Sequence, residues 1–176
     1  MGMENIVVRR VAPHEARGCI EGLADLLVDV VEHGASVGFM LPITREKALA
    51  FWTRVADAVV RGDRVLLVAQ APDGRIAGTV QLILDLPENQ PHRADLAKMQ
   101  VHSSARRQGL AQRLLEAAER EAVREGRTVL VLDAVTHGDA YRLYQRSGWQ
   151  AVGDIPNYAL MPDGPACSTT YFYKHL

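Results

Sequence analysis

Residues 97–120, AKMQVHSSARRQGLAQRLLEAAER, constrain this chain more than any other stretch. Ala97, Met99 and Val101 share one parity and Lys98 and Gln100 the other, the alternation of a half-buried strand. A short polar loop containing Gly109 follows. Leu110, Leu114 and Ala118 then fall four apart, and Ala111, Leu115 and Ala122 widen the same stripe, which predicts an amphipathic helix. Gln112, Arg113, Glu116, Glu119 and Arg120 lie outside that stripe, and Glu116 and Arg120 make an i,i+4 pair in the favourable order.

A strand that turns through a basic, Gly-containing loop into a helix is built to receive an anion. The first backbone N–H groups of the helix have no intrahelical partner, and the macrodipole adds partial positive charge there. Gly109 and Ala111 let a phosphate approach those groups, and Arg106 and Arg107 add full charges. The loop has no GxxxxGK[ST], which excludes a nucleoside-triphosphate P-loop. It has no GxGxxG after an N-terminal strand, which argues against a dinucleotide fold. The alternative is an ordinary strand-loop-helix with a solvated basic loop.

Two motifs extend the reading. Arg106-Arg107-Gln108-Gly109-Leu110-Ala111 resembles the (Q/R)xxGx(G/A) pyrophosphate loop of GNAT-type acetyltransferases, and Val101 matches the valine or isoleucine that ends the family's preceding strand. Ala140-Tyr141-Arg142-Leu143-Tyr144-Gln145-Arg146-Ser147-Gly148-Trp149 resembles the family's AxxxYxxxGF helix. The two stand in the family's order with a strand between them. His33 to Met40, and Pro162-Asp163-Gly164 followed by Tyr171-Phe172, resemble the tabtoxin-resistance branch, which acetylates a small toxin with an amino-acid backbone.

Composition sets outer bounds. The 176 residues suit one domain, expected to span 1–176, with a substantial core. Hydrophobic residues are 48% and charged residues 23% of the chain, ordinary values for a globular protein. A net charge of -1 argues against bulk binding of nucleic acid or anionic membrane, so a basic site must be local. Cys19 and Cys167 are too isolated for a disulfide framework, no apolar run approaches a membrane span, and MGMENIVVRR holds no signal-peptide core. A cytoplasmic protein is the expectation. The scattered histidines, without an i,i+4 pair or a cysteine partner, predict no metal.

In chain order the pattern predicts a strand at 5–11, a helix entered through Pro13 and ending near Glu32, and a glycine-rich loop at 33–40. A second helix follows, capped by Thr44 and ended by Gly62. Residues 64–71 and 76–86 read as a hairpin across the turn Pro72-Asp73-Gly74-Arg75. After the 97–120 segment, 128–132 is an apolar run suited to a strand buried on both faces and joined by a right-handed parallel crossover. A short helix at 138–147, a strand at 149–153, a loop at 154–164 and a closing strand at 167–174 complete the chain. The order matches the GNAT fold. That resemblance implies an α/β (α+β) architecture: a mixed, mostly antiparallel sheet of about seven strands, flanked by about four helices. A V-shaped splay is expected between the two central parallel strands.

The resemblance also implies acetyl-coenzyme A as co-substrate. Its pyrophosphate would lie on Arg106, Arg107, Gln108, Gly109, Leu110 and Ala111, and its pantetheine arm along Met99, Gln100 and Val101. His137 and Ala140 would add contacts at the start of the last helix. A backbone N–H near Met99 would polarise the thioester carbonyl. Tyr144 takes the family's general-acid position, with Tyr141 one turn away as a decoy. A phenol of pKa about 10 keeps its proton at neutral pH and can give it to a thiolate. Two carboxylates compete as base: Asp95, six residues before Val101, where many members carry glutamate, and Asp133, at the carboxyl end of an apolar strand. Structural readings stand beside these: Asp95 as a solvated strand-edge residue, Asp133 as an N-cap. Glu32, His33, Ser36 and Asp133 are candidates for the acceptor pocket. His137 stands where the family usually has Asn or Ser, and Ser103 where it often has proline, a change expected to matter little.

The function so implied is N-acetyl transfer to the amine of a small, amino-acid-like or antibiotic-like acceptor. A non-catalytic acyl-coenzyme A sensor and a protein N-terminal acetyltransferase are the alternatives. A homodimer is left open, since GNAT folds often pair through edge strands.

Overall fold

The computed structural model describes residues 6–176. Asn5, where the first strand was expected to begin, and the first half of the N-terminal stretch read for targeting signals lie outside them. Strand β1 is Val7–Arg10, and Pro13 opens a 3-10 turn, Pro13–Cys19, that runs into helix α1, Ile20–Glu32. Helix α2, Arg45–Arg61, starts where Thr44 Oγ1 accepts the Lys47 N–H at 3.2 Å and stops at Gly62, whose φ of 83° a β-carbon would strain. Strands β2, Arg64–Gln70, and β3, Ile76–Ile83, form the expected hairpin. Then come β4, Arg93–Val101, α3, Leu110–Arg124, β5, Val129–Val135, α4, Asp139–Arg146, β6, Gln150–Leu160, and β7, Ala166–His175.

Among the described residues seven strands make one sheet in the order β1-β2-β3-β4-β5-β7-β6. Within it only β4 and β5 are parallel; every other pair is antiparallel. This is the mixed GNAT architecture expected, with four α-helices. Each sheet face carries its own core. On one face Leu110, Leu114 and Leu115 of α3 pack against Val80, Leu82, Leu96 and Leu130, and the small side chains of Ala118 and Ala122 let the helix come close. On the other face Leu23, Leu27 and Val30 of α1 and Trp52, Val55 and Val59 of α2 cover Leu66, Val68 and Ile76. Fully burying each large apolar side chain contributes about 1.5–3 kcal/mol.

Gly78 on β3 fits this packing because it has no side chain. A β-carbon there would lie 2.9 Å from Gln100 O and 3.0 Å from Leu114 Cδ1, so β4 and α3 both approach the bare backbone.

Several expectations are corrected. Strand β3 stops at Ile83 because its partner β2 begins at Arg64, leaving no β2 residue opposite Leu84–Leu86. Residues 154–160, expected in a loop, extend β6 along β7. Pro156 and Asn157 look like loop residues, yet they fall inside the irregularity between Ile155 and Ala159. On an edge strand, a proline there costs no ladder bond. Strand β5 is buried on one face only: Leu130, Leu132 and Ala134 point into the core while Asp133 is exposed. Helices α1 and α2 lie over β2–β4, so the other face of β5 stays open.

Candidate active site

The gap comes from two departures from regular strand geometry. Strands β4 and β5 pair through Arg93–Val129, Ala94–Leu130 and Asp95–Val131, and the pairing ends there. Beyond Asp95 the two strands separate. On its other side β4 carries a bulge: Ala97 faces Gln81 and Gln100 faces Thr79, so three steps on β4 match two on β3. Lys98, with φ 54°, is the distorted residue. The bulge resets the alternation. Ala97 and Gln100 now share a face, whereas Met99 and Val101 pack toward the α3 core. The parity read from the sequence, which joined Ala97 to Met99 and Val101, therefore fails at Lys98. Gln100 is almost fully buried, so its side chain does not line an open surface.

The His102 N–H donates to Ala77 O at 2.9 Å. By the alternation of an antiparallel ladder, the N–H and C=O of Val101 then point away from β3, toward the opening. Exposed main-chain groups along an unpaired strand edge can bind an extended chain as an added strand would.

The basic loop follows directly. A 3-10 turn, Ser103–Ala105, leads into Arg106, Arg107 and Gln108, all exposed, and Gly109 caps α3 at φ 78°. No side chain caps α3, so its first N–H groups are free of side-chain acceptors among the described residues. An uncapped 15-residue helix behind an αL glycine and two exposed arginines fits a diphosphate. Leu110 contributes only its backbone, because its side chain is buried in the core. Gln108 Nε2 donates to Ser104 O at 3.1 Å and Arg106 Nε to Val101 O at 3.4 Å, bonds that hold the loop's own shape.

Asp29 of α1 anchors the loop from the far side. Its carboxylate accepts the Ser103 N–H and Oγ, both at 2.7 Å. Burial raises the Asp29 pKa, but the two Ser103 bonds, with His102 and His33, outweigh it and hold the group below the usual carboxylate range.

Tyr144 sits on α4 between Trp149 and Phe172, at ring-centroid distances of 5.6 and 6.0 Å. The ring is 3% exposed, and its hydroxyl has no hydrogen bond to the described residues, nor is it sealed among the enclosed unpaired atoms. Burial, then the charge of Asp133, pushes its pKa well above the ordinary phenol value. Tyr141 differs: its hydroxyl accepts from Gln145 Nε2 at 3.1 Å and its ring stacks edge-on against Phe172. His137, at φ 62°, packs on Tyr141, and its carbonyl accepts from Arg142 at 2.7 Å; Ala140 is exposed on the first turn of α4.

Asp133 and Asp95 lie on the same sheet face, because Asp95 is registered with Val131 and Asp133 is two residues further along β5. Their circumstances differ. Asp95 is ion-paired with Arg93, whereas Asp133 is exposed and accepts only from Thr169 Oγ1, at 2.7 Å, among the described residues. Tyr171 of β7, opposite Asp133, hydrogen-bonds Tyr158 of the neighbouring β6 at 2.9 Å. That bond, with burial and the charges of Asp133 and Asp95, raises the Tyr171 pKa to about 12.

The connection between α1 and α2 borders this side. His33 folds back on its own helix, with Nδ1 2.7 Å from Asp29 O, and Glu32 and Ser36 make no side-chain bond to the described residues. The residues that reach other strands' segments come slightly later: Val37 O accepts from Lys98 Nζ of β4 at 2.7 Å, and Leu41 N–H donates to Pro162 O of the β6–β7 turn at 2.9 Å. Lys98, Val37 and Asp29, which tie these segments together, are not among the site residues read from the sequence.

The profile of the acetyltransferase (GNAT) family matches residues 30–149, most of the chain. The chain belongs to the GNAT family. It is 36% identical over 133 residues to an uncharacterized N-acetyltransferase in the hisH-hisA intergenic region of Azospirillum brasilense, covering 74% of this chain and 76% of that one. In fold it is similar to a GNAT-family acetyltransferase from Streptococcus pneumoniae, with a TM-score of 0.76, 23% identity, and coverage of 98% and 100% of the two chains. It is also similar to yncA from Salmonella typhimurium, a structure with its cofactor acetyl-CoA, with a TM-score of 0.77, 18% identity, and coverage of 98% and 95%. GNAT membership makes the chain an N-acetyltransferase by family. Among the described residues no helix is long and apolar enough to cross a membrane, and no His/Cys/Asp/Glu group is arranged to hold a metal.

Proposed function

We propose that this protein transfers acetyl from acetyl-coenzyme A to the amine of a small, amino-acid-like acceptor. One observation supports the reading: β4 and β5 part after Asp95–Val131, with Asp133 on one sheet face of β5 and Tyr144 packed in the core of the other. Donor and acceptor can then meet from opposite faces.

The donor's diphosphate would rest on the N–H groups at the start of α3 with Arg106 and Arg107, and its pantetheine arm along the open edge of β4. The Met99 N–H, beside the bulge, would stabilise charge on the thioester oxygen. An alkyl ammonium of pKa roughly 10 has no lone pair at neutral pH, so a base must take its proton. Asp133 is the stronger candidate, since Asp95 is already engaged with Arg93. Tyr144 would give its proton to the departing thiolate. Its raised pKa keeps it protonated until that moment.

The Leu41–Pro162 bond ties the α1–α2 connection to the β6–β7 turn. Both segments flank the acceptor side. That favours a small acceptor over a protein N-terminus, which needs an open groove. Isothermal titration with acetyl-coenzyme A, paired with thiol release across small amines, amino acids, antibiotics and peptides, tests the reading. Absence of binding at millimolar donor would end it. Binding without release on any acceptor would favour a sensor.

A further inference from the structure

Lys98 is a half-buried cation with no acidic partner among the described residues. The bulge turns it out of the strand's alternation, at φ 54°. Its Nζ donates to Val37 O at 2.7 Å and lies 5.7 Å from the centre of the Phe51 ring. A β-carbon on Gly38 would come within 3.2 Å of that nitrogen, so the loop closes on it directly.

Arg64 stands on the same sheet face. It is registered with Ile83, which in turn faces Asp95. Its Nη1 donates to Gln81 Oε1 at 2.6 Å, and Gln81, fully buried and opposite Ala97, keeps an enclosed Nε2 without a partner among the described residues. Both cations therefore bond to neutral oxygens. Of the nearby carboxylates, Asp63 is ion-paired with Arg61 and Asp95 with Arg93, while Asp133 accepts only from the Thr169 hydroxyl among the described residues.

Burial, followed by the charge of Arg64, lowers the Lys98 pKa, while Asp133 acts in the opposite direction. Burial likewise lowers that of Arg64. Two cations on one sheet face, partly withdrawn from water and within electrostatic reach of one another, cost free energy that an anion between them would recover. Lys98 also lies within electrostatic reach of Asp133, so a ligand bearing a negative and a positive group could span the two.

We infer that Lys98 and Arg64, with Gln81 holding the guanidinium in place, form a receptor for an anionic group of the acceptor, a carboxylate, while its amine faces Asp133. This rests on the acetyl-transfer reading and names the acceptor class within it: amino acids rather than simple amines.

The test uses matched acceptors, each an amino acid, its primary amide and its decarboxylated amine, with two readouts. One is thiol release with acetyl-coenzyme A; the other is binding of the same compounds by saturation-transfer NMR. The wild-type protein should favour the carboxylate form by at least about tenfold in kcat/KM, the scale of one charge-assisted hydrogen bond. Lys98→Met should bring that ratio close to one, Lys98→Arg should retain most of it, and Arg64→Gln should reduce it. Equal use of all three forms by wild type, or an unchanged ratio in folded Lys98→Met, overturns the receptor. Should no acceptor release thiol, the acetyl-transfer reading falls and binding alone decides: carboxylate preference supports the receptor, its absence overturns it. Should Lys98→Met fail to fold, the wild-type comparison and Arg64→Gln decide in the same way.

Discussion

Asp29 on α1 and Ser103, at the start of the turn that follows β4, are joined twice, through the serine N–H and its hydroxyl, each 2.7 Å from a carboxylate oxygen. The bond fixes where the basic loop begins. A serine where the family often has proline thus has a defined task here: it ties the loop to a helix on the other sheet face.

Asp29→Ala should therefore destabilise the fold by about 2 kcal/mol, the range for hydrogen bonds to a charged group, and weaken acetyl-coenzyme A binding. Thermal unfolding and titration calorimetry measure the two. The pH dependence has a definite sign. Because the folded-state pKa of Asp29 is lowered, its contribution is present above the unfolded carboxylate value, about 3.9, and is lost as pH falls through the folded value. The wild-type advantage over Asp29→Ala should shrink only on strong acidification.

Tyr144→Phe should lower kcat by about 10²–10⁴-fold, the usual contribution of a positioned acid, with donor affinity little changed. Since burial and Asp133 raise the phenol pKa, loss of this proton should not limit kcat until well above pH 10. A kcat–pH profile with an ordinary tyrosine limb would remove the role from Tyr144.

Asp133→Asn should cost kcat about 10²-fold or more, and Asp95→Asn clearly less. Raising the pH toward about 10 should partly restore Asp133→Asn, because the acceptor then supplies its own free amine. Equal losses in both variants, read from steady-state rates, would assign the base to the pair.

Arg106→Ala combined with Arg107→Ala should weaken acetyl-coenzyme A binding by at least about tenfold and flatten its salt dependence, since exposed charges are screened. Calorimetry at low and high salt reads both effects.

Much of this architecture is legible in the residues. The α3 stripe, the Thr44 cap, the Gly62 stop and the turn at 72–75 rest on local chemistry, and each forms where its residues predict. The uncapped start of α3 and the position of Tyr144 follow from motifs a few residues long. The parting of β4 from β5, the bulge that moves Lys98 out of register, the Asp29–Ser103 anchor and the strand at 154–160 come from contacts between segments far apart in the chain. Local propensity and periodicity report what a segment can bury; they carry no record of which partner strand ends first. That is settled only when the sheet assembles, and here it sets where β4 and β5 part and where β4 bulges.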